Sequence, residues 1–134
     1  MKHILYLSIF LIISCSHNAV YLAEKTEDLK DKKIEVYHLI SMHPSMNITI
    51  SMNNGKIYGK SAVNDYYADY AINGDYISID MIKTTRNTDT IEKRRIEGDY
   101  ISILQTAYSF KIKGNNLIIY TRFIDEPLVY ELIE

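Results

Sequence analysis

Apolar and polar side chains alternate with a period of two along much of the chain after residue 34. The clearest stretch alternates Met46, Ile48, Ile50 and Met52 with short polar side chains. Because successive side chains of a strand point to opposite faces, this pattern predicts a strand with one buried face. A chain made of such strands must pack a sheet against itself or close it into a barrel.

Short segments rich in Asn and Gly separate the alternating stretches. Residues 53–55, 73–75 and 114–116 predict tight turns, since Asn and Gly accept positive φ. Between these turns and in the flanking sequence, strands are predicted over 34–40, 46–52, 56–60, 68–72, 76–82, 108–113, 117–123 and 128–133.

The apolar residues also predict where some strands lie in the sheet. Ile77, Ile79 and Met81 recur at every second position, which predicts that they share a buried face. Residues 117–123 are apolar on both faces, which favours a central strand. Pro127 interrupts the chain before the last strand, which favours an edge position for that strand.

The period lengthens between residues 89 and 107, which predicts one helix. Asp89 can cap it, with Glu92 three residues later completing a capping box. Gly98 marks either close packing against a strand or a break that shortens the helix. Apolar residues fall on one stripe at about 100° per residue, namely Ile96, Tyr100, Ile103, Leu104 and Ala107.

The chain has 134 residues and a formal net charge of −2. This length suffices for one domain with one core and is too short for two. The predicted fold class is mostly β (α+β), a distorted antiparallel barrel or sandwich of about seven or eight strands. One helix is inserted before the last strands. No basic patch favours nucleic-acid binding.

The first 15 residues combine positive charge, apolar residues and a cysteine. A positively charged start precedes a largely apolar run at 4–13, and Ser14 then precedes Cys15, the only cysteine. This arrangement resembles the lipobox of bacterial lipoproteins, with Ile12 where leucine is usual. The resemblance implies cleavage before Cys15 and acylation of that cysteine with chains such as palmitate.

Three segments are therefore predicted: residues 1–14 as a lipoprotein signal peptide, 15–33 as a charged tether and 34–134 as the folded domain. The apolar run is about half of the roughly 20 residues that span a bilayer. An uncleaved anchor and a plain secretory signal stay open as alternatives. An aspartate after the cysteine is the usual signal that retains such a lipoprotein in the inner membrane, and Ser16 stands there instead. We therefore expect a lipid-anchored envelope protein in the outer membrane, facing the periplasm.

Five motifs follow one another within residues 34–121. They are residues 59–66, residues 70–79, the step Thr85-Arg86, the helical set Glu97, Tyr100 and Leu104, and residues 108–119. Together they resemble the META domain of HslJ-type bacterial lipoproteins. Two positions depart from the family pattern. Val63 stands where many members have cysteine, and Tyr37 stands where members usually have tryptophan.

The motif residues are the candidate site, and we interpret them as determinants of the fold. The set comprises Gly59, Asn64, Tyr70, Gly74, Thr85, Glu97 and Leu104. A buried Asn64 between a strand and a bend would bond backbone groups that the sheet leaves unpaired, although its amide could instead bind a ligand. Gly59 indicates a bulge or a close contact with the helix.

The sequence predicts no catalytic, metal or cofactor site. Asp65 and Asp69 lie four residues apart, but two carboxylates are too few for a calcium site, so we expect solvated acids. His38 and His43 lack a third ligand at a suitable spacing. No Gly-x-Ser-x-Gly nucleophile motif is present, and we expect no enzyme activity.

Two functions stay open. The first is a non-catalytic binding or interaction domain in the envelope, related to envelope stress. The second is a pilotin-like carrier that holds an acyl chain or a secretin tail in an apolar cleft between helix and sheet. The cleft would be lined by Tyr100, Leu104, Ile77 and Ile79. The partner is accordingly an unknown envelope protein or an apolar ligand, besides the membrane reached through the lipid.

Overall fold

The computed structural model describes residues 34–133. Cys15, the predicted signal peptide and the predicted tether lie outside the described residues. The elements follow in this order: β1 (Tyr37–Leu39), β2 (Thr49–Asn53), β3 (Lys56–Lys60), β4 (Asp65–Asn73), β5 (Tyr76–Ile79), β6 (Lys83–Thr84), α1 (Ile91–Gln105), β7 (Ala107–Lys113), β8 (Asn116–Thr121) and β9 (Leu128–Leu132). A short 3-10 turn, Pro44–Met46, lies between β1 and β2.

Eight of these strands close into an antiparallel barrel. Hydrogen-bonded neighbours run in the order β3, β2, β1, β9, β8, β7, β5 and β4, and β4 pairs back with β3 to complete the circle. β6 adds a short extra strand beside β4. The predicted fold class is confirmed. Of the two predicted forms, a barrel or a sandwich, the structure is a barrel.

A side chain of α1 adds hydrogen bonds at the end of β5, where few backbone pairs connect β5 with β7. The described ladder there consists of the pair Tyr76 and Ser109. Gln105, the last residue of α1, donates to the Ile79 carbonyl at 3.0 Å and accepts from the Ile82 N–H at 2.8 Å. The helix thereby satisfies backbone groups that the sheet leaves unpaired.

Two predictions about the strands are wrong. The last strand is not at an edge, because β9 pairs with β8 on one side and with β1 on the other. Pro127 precedes β9 and so removes no ladder N–H from it. Met81 does not share a buried face with Ile77 and Ile79, because β5 ends at Ile79 and Met81 is 78 % exposed.

Other strand boundaries agree or move by a few residues. β3 covers the predicted residues, and β8 pairs with β7 and β9 on its two sides. Met46 falls in the 3-10 turn instead of a strand. β4 begins at Asp65, three residues before its predicted start.

The helix forms where its apolar stripe predicts, but its cap differs. Thr90, not Asp89, is the N-cap, and its hydroxyl accepts from the Lys93 N–H at 3.3 Å. Asp89 instead accepts from the Thr90 N–H at 2.7 Å. The helix ends at Gln105, so Ala107 belongs to β7. Within residues 34–133, no helix is long and apolar enough to cross a membrane.

Gly98 neither breaks the helix nor marks close packing. It lies in the middle of α1 on the exposed side, and an added Cβ would meet no atom within 4 Å. We expect Gly98→Ala to raise the free energy of unfolding by about 1 kcal/mol, because alanine has the higher helix propensity. Urea denaturation measures this, and a loss of stability would contradict it.

The core combines inward-facing strand residues with the buried stripe of the helix. α1 contributes Ile96, Tyr100, Ile103 and Leu104, all less than 8 % exposed. The largest side chains with less than 2 % exposure are Tyr66, Tyr100 and Tyr130. The interior is therefore built around three tyrosines, whose hydroxyl groups must find hydrogen-bond partners within the protein.

Candidate functional site

Asn64 lies at the end of a tight turn that leads into β4. The Ser61 N–H donates to the Asn64 carbonyl at 2.8 Å. The Ser61 hydroxyl oxygen lies 2.7 Å from the same carbonyl. The backbone bond closes the turn between β3 and β4. Asn64 is 6 % exposed, as predicted from its position between a strand and a bend.

Glu97 on α1 reaches this turn from the helix. Its carboxylate accepts from the Asn64 N–H and from the Asn64 side-chain amide, both at 2.8 Å. It also accepts from the Ser61 hydroxyl. One carboxylate thus bonds the turn and anchors α1 to the barrel, because each contact joins residues more than 30 positions apart.

The Asn64 amide carbonyl holds a third segment. It accepts from the Thr85 hydroxyl at 3.0 Å and from the Asn87 N–H at 2.6 Å. The segment between β6 and α1 is therefore fixed to the same turn. We call the five residues that meet here the Asn64 junction: Ser61, Asn64, Thr85, Asn87 and Glu97.

The electrostatics of the junction favour an ionised Glu97. Burial acts to raise the pKa of its carboxyl group. Hydrogen bonds from Ser61, from the Asn64 side chain and from the N–H groups of Asn64 and Val63 outweigh burial and hold that pKa below its ordinary value of 4.5. Such hydrogen bonds stabilise the charged form. The carboxylate oxygens of Glu97 thus accept hydrogen bonds from groups of the protein itself.

We expect Glu97→Gln to lower the free energy of unfolding by about 1 kcal/mol at neutral pH, since the amide replaces a charged acceptor. Because the folded-state pKa is depressed, the ionised carboxylate stabilises the fold above its unfolded pKa. That contribution is lost as pH falls through the folded pKa. The stability difference between the two proteins should therefore shrink on acidification.

Urea denaturation at a series of pH values measures this difference. Asp99→Asn is the matched control, because Asp99 is an exposed acid on the same helix. We expect its effect to stay within about 0.5 kcal/mol. A Glu97→Gln difference that does not change with pH would contradict the assigned hydrogen bonds.

The three buried tyrosines form a hydrogen-bonded chain beside the junction. The Tyr66 hydroxyl lies 2.7 Å from that of Tyr100, which lies 3.0 Å from that of Tyr130. Tyr66 donates to the Thr49 carbonyl at 2.7 Å, so Tyr100 donates to Tyr66 and Tyr130 donates to Tyr100. Burial raises the pKa of all three phenols, which stay neutral.

The cleft that a carrier would need is occupied by the protein itself. Tyr100 and Leu104 are 0 % exposed, and Ile77 and Ile79 are at most 8 % exposed. The rings of Tyr66 and Tyr100 meet edge to face with centroids 5.6 Å apart. Tyr100, Leu104, Ile77 and Ile79 therefore belong to the buried core.

Gly59 contacts the same core. It lies opposite Tyr66 in the β3–β4 ladder. An added Cβ would lie 2.1 Å from the Thr49 carbonyl oxygen and 2.6 Å from the Tyr66 ring. Gly59 thus makes its close contact with a strand and a tyrosine, not with the helix as predicted, and the β3–β4 register is continuous through it.

The remaining motif residues occupy the β4–β5 hairpin. Tyr70 is half-buried, and its N–H donates to the Gly55 carbonyl at 2.9 Å. Gly74 adopts a φ of 62° in the turn, which favours glycine. The structure thus brings Asn64, Thr85 and Glu97 together and places Tyr70 and Gly74 elsewhere.

The acids and histidines considered as ligands have local contacts. Asp69 forms an ion pair with Lys56, and Asp65 lies opposite Lys60 in the ladder. The His38 ring lies 3.1 Å from the Pro44 carbonyl. Among residues 34–133, no three His, Cys, Asp or Glu side chains group closely enough to hold a metal ion.

Sequence reasoning missed four residues around the site. Ser61 lies inside the first family motif, and its neighbour Asn64 was the only signal for it. Asn87 contributes only backbone groups, which no side-chain pattern indicates. Tyr66 and Tyr130 follow the strand alternation, but their hydroxyl chain depends on contacts 30 or more residues apart.

These features define a mostly β domain in which a closed eight-stranded barrel is joined to one helix through a buried asparagine. The chain belongs to the META domain family, whose sequence model matches residues 28–130. The predicted resemblance to the META domain is confirmed. This family is not a known enzyme family.

One solved structure supports the fold. The NMR structure of a protein from Burkholderia xenovorans is similar, with a TM-score of 0.59 and 17 % sequence identity. The similarity covers 82 % of this chain and 87 % of that chain. At this identity the comparison supports the fold alone. No curated protein matches the chain.

Proposed function

We propose that the chain is a non-catalytic interaction domain, held in the cell envelope by lipid on Cys15. The observation that carries this proposal is the filled interior. Tyr66, Tyr100 and Tyr130 bond one another, and the Glu97 carboxylate bonds the Asn64 turn. Since the polar groups of these five residues serve the fold, a partner would contact the outside of the barrel.

The alternative is a carrier for an acyl chain or a secretin tail. A carrier needs an apolar cavity that can admit its cargo. The four residues expected to line that cavity are buried against the protein's own side chains. The filled interior therefore favours the interaction domain, and a carrier would have to move α1 away from the barrel.

The proposed location is the outer membrane, facing the periplasm, with a role in envelope stress. It rests on the small residue and cysteine that end the apolar run, and on Ser16 after the cysteine. The proposed tether at 15–33 would separate the folded domain from the membrane surface.

We expect Cys15→Ser to move the protein from the membrane fraction to the soluble fraction. Stable anchoring needs more than one acyl chain, and all would be lost with the cysteine. Fractionation and intact mass measurement check this. Ser16→Asp is the matched control, which keeps the lipid and shifts the protein toward the inner membrane. A Cys15→Ser protein that stays in membranes, differing from the parent only by the side-chain mass, would disprove the lipid anchor.

A further inference from the structure

A groove of about 360 Å³ lies on the outer face of the barrel, where β3 pairs with β4. At its floor, Ile57 lies opposite Ala68, and both side chains point into the core. Residues 80–83 run beside β4 and contribute Asp80, Met81 and Lys83 to the lining. The groove is thus formed by two paired strands and one adjoining segment.

Two cross-strand pairs flank the floor of this groove. On one side, Lys56 lies opposite Asp69 and forms an ion pair with it. On the other side, Tyr58 lies opposite Tyr67, and these residues are 57 % and 46 % exposed. Positions two apart in a strand are separated by about 6.8 Å. One flat ring can therefore lie between the tyrosine pair and the ion pair.

The charges of the groove balance. Lys56, Lys83, Asp69 and Asp80 line it, so the groove has no net attraction for an anion, a cation or a nucleic acid. It offers instead two aromatic surfaces together with ammonium donors and carboxylate acceptors. Its complement is an uncharged ligand with an apolar face and hydroxyl groups around the edge.

We infer that this groove binds a neutral glycan. One sugar ring lies with its C–H face against Tyr58 and Tyr67. Its hydroxyl groups donate to the carboxylates of Asp69 and Asp80 and accept from the ammonium groups of Lys56 and Lys83. Because each pyranose hydroxyl both donates and accepts, the ion pair satisfies neighbouring hydroxyls at once. This inference does not depend on the lipid anchor.

The test is a titration of the purified full-length chain with neutral trisaccharides of glucose and of N-acetylglucosamine. Choline chloride and sodium phosphate are the cationic and anionic probes. The Met81 methyl resonance reports binding, because Met81 lines the groove. We expect a saturable shift with at least one trisaccharide and none with either ion. A shift with an ion alone, or with no probe, overturns the inference.

Three tyrosine variants separate stacking from sheet stability. We expect Tyr67→Ala to weaken trisaccharide binding by about tenfold or more, as loss of an aromatic anchor does. Tyr67→Phe keeps the ring and should keep the binding. Tyr76→Ala is the matched control, because Tyr76 is 69 % exposed on β5 and does not line the groove. Equal affinities for the Tyr67→Ala protein and the parent mean that the tyrosine pair only stabilises the sheet, and overturn the inference.

Discussion

We expect Leu104→Ala to lower the free energy of unfolding by about 2–5 kcal/mol, the range for truncation of a buried leucine. Leu104 is 0 % exposed and lies on the helical stripe that joins α1 to the core. Next along that stripe, Tyr100 bonds both Tyr66 and Tyr130. The surroundings are held by these bonds and cannot easily collapse into the cavity, which favours the upper part of the range.

Arg95→Ala is the matched control on the same helix. Arg95 is exposed and lies off the buried stripe. We expect its effect to stay below about 0.5 kcal/mol, as for ordinary surface substitutions. Urea denaturation of the two variants and the parent measures the contrast. Equal small effects would mean that α1 is peripheral, and the carrier would then become the better functional proposal.

Local patterns were sufficient for the elements that local contacts determine. The turn at 53–55 and the alternation around it predicted β3 at Lys56–Lys60. The 3.6-residue period predicted Ile96, Tyr100, Ile103 and Leu104 as the buried stripe. The position of β9 was not predictable in this way. Its partners include β1, which lies some 90 residues earlier in the chain, and no pattern within a strand encodes such a partner.

The candidate site likewise contains one feature that the local sequence predicted and one that depends on a distant contact. The burial of Asn64 followed from its place between a strand and a bend. Its partner Glu97 lies 33 residues later, outside the apolar stripe. An acidic side chain at such a position on a helix is usually solvated. The apolar pattern therefore did not predict that the Glu97 carboxylate accepts hydrogen bonds within the protein. Only the family resemblance singled out both residues, and it did not indicate that they touch.

The substitution Gly59→Ala adds a single methyl group, and we expect it to lower the free energy of unfolding by about 3 kcal/mol, the upper part of the range for overpacking. Gly59 points inward from β3, and the Tyr66 ring crosses it to donate to the Thr49 carbonyl. A methyl group would lie 2.1 Å from that carbonyl oxygen. Relief requires moving β2 away from β3 or breaking the tyrosine chain at its first bond.

Gly98→Ala makes the same chemical change where space is free. One substitution should raise the free energy of unfolding and the other should lower it, so the two variants should differ by about 4 kcal/mol. Adding Tyr66→Leu to the Gly59→Ala protein tests which of the two close contacts of the methyl group causes the loss of stability. It removes the ring that lies 2.6 Å from the added methyl but leaves the Thr49 carbonyl in place. We therefore expect it to give no full rescue of Gly59→Ala. Unchanged stability of Gly59→Ala in urea would show that β2 and β3 can separate freely, and the glycine would then be no determinant of the barrel.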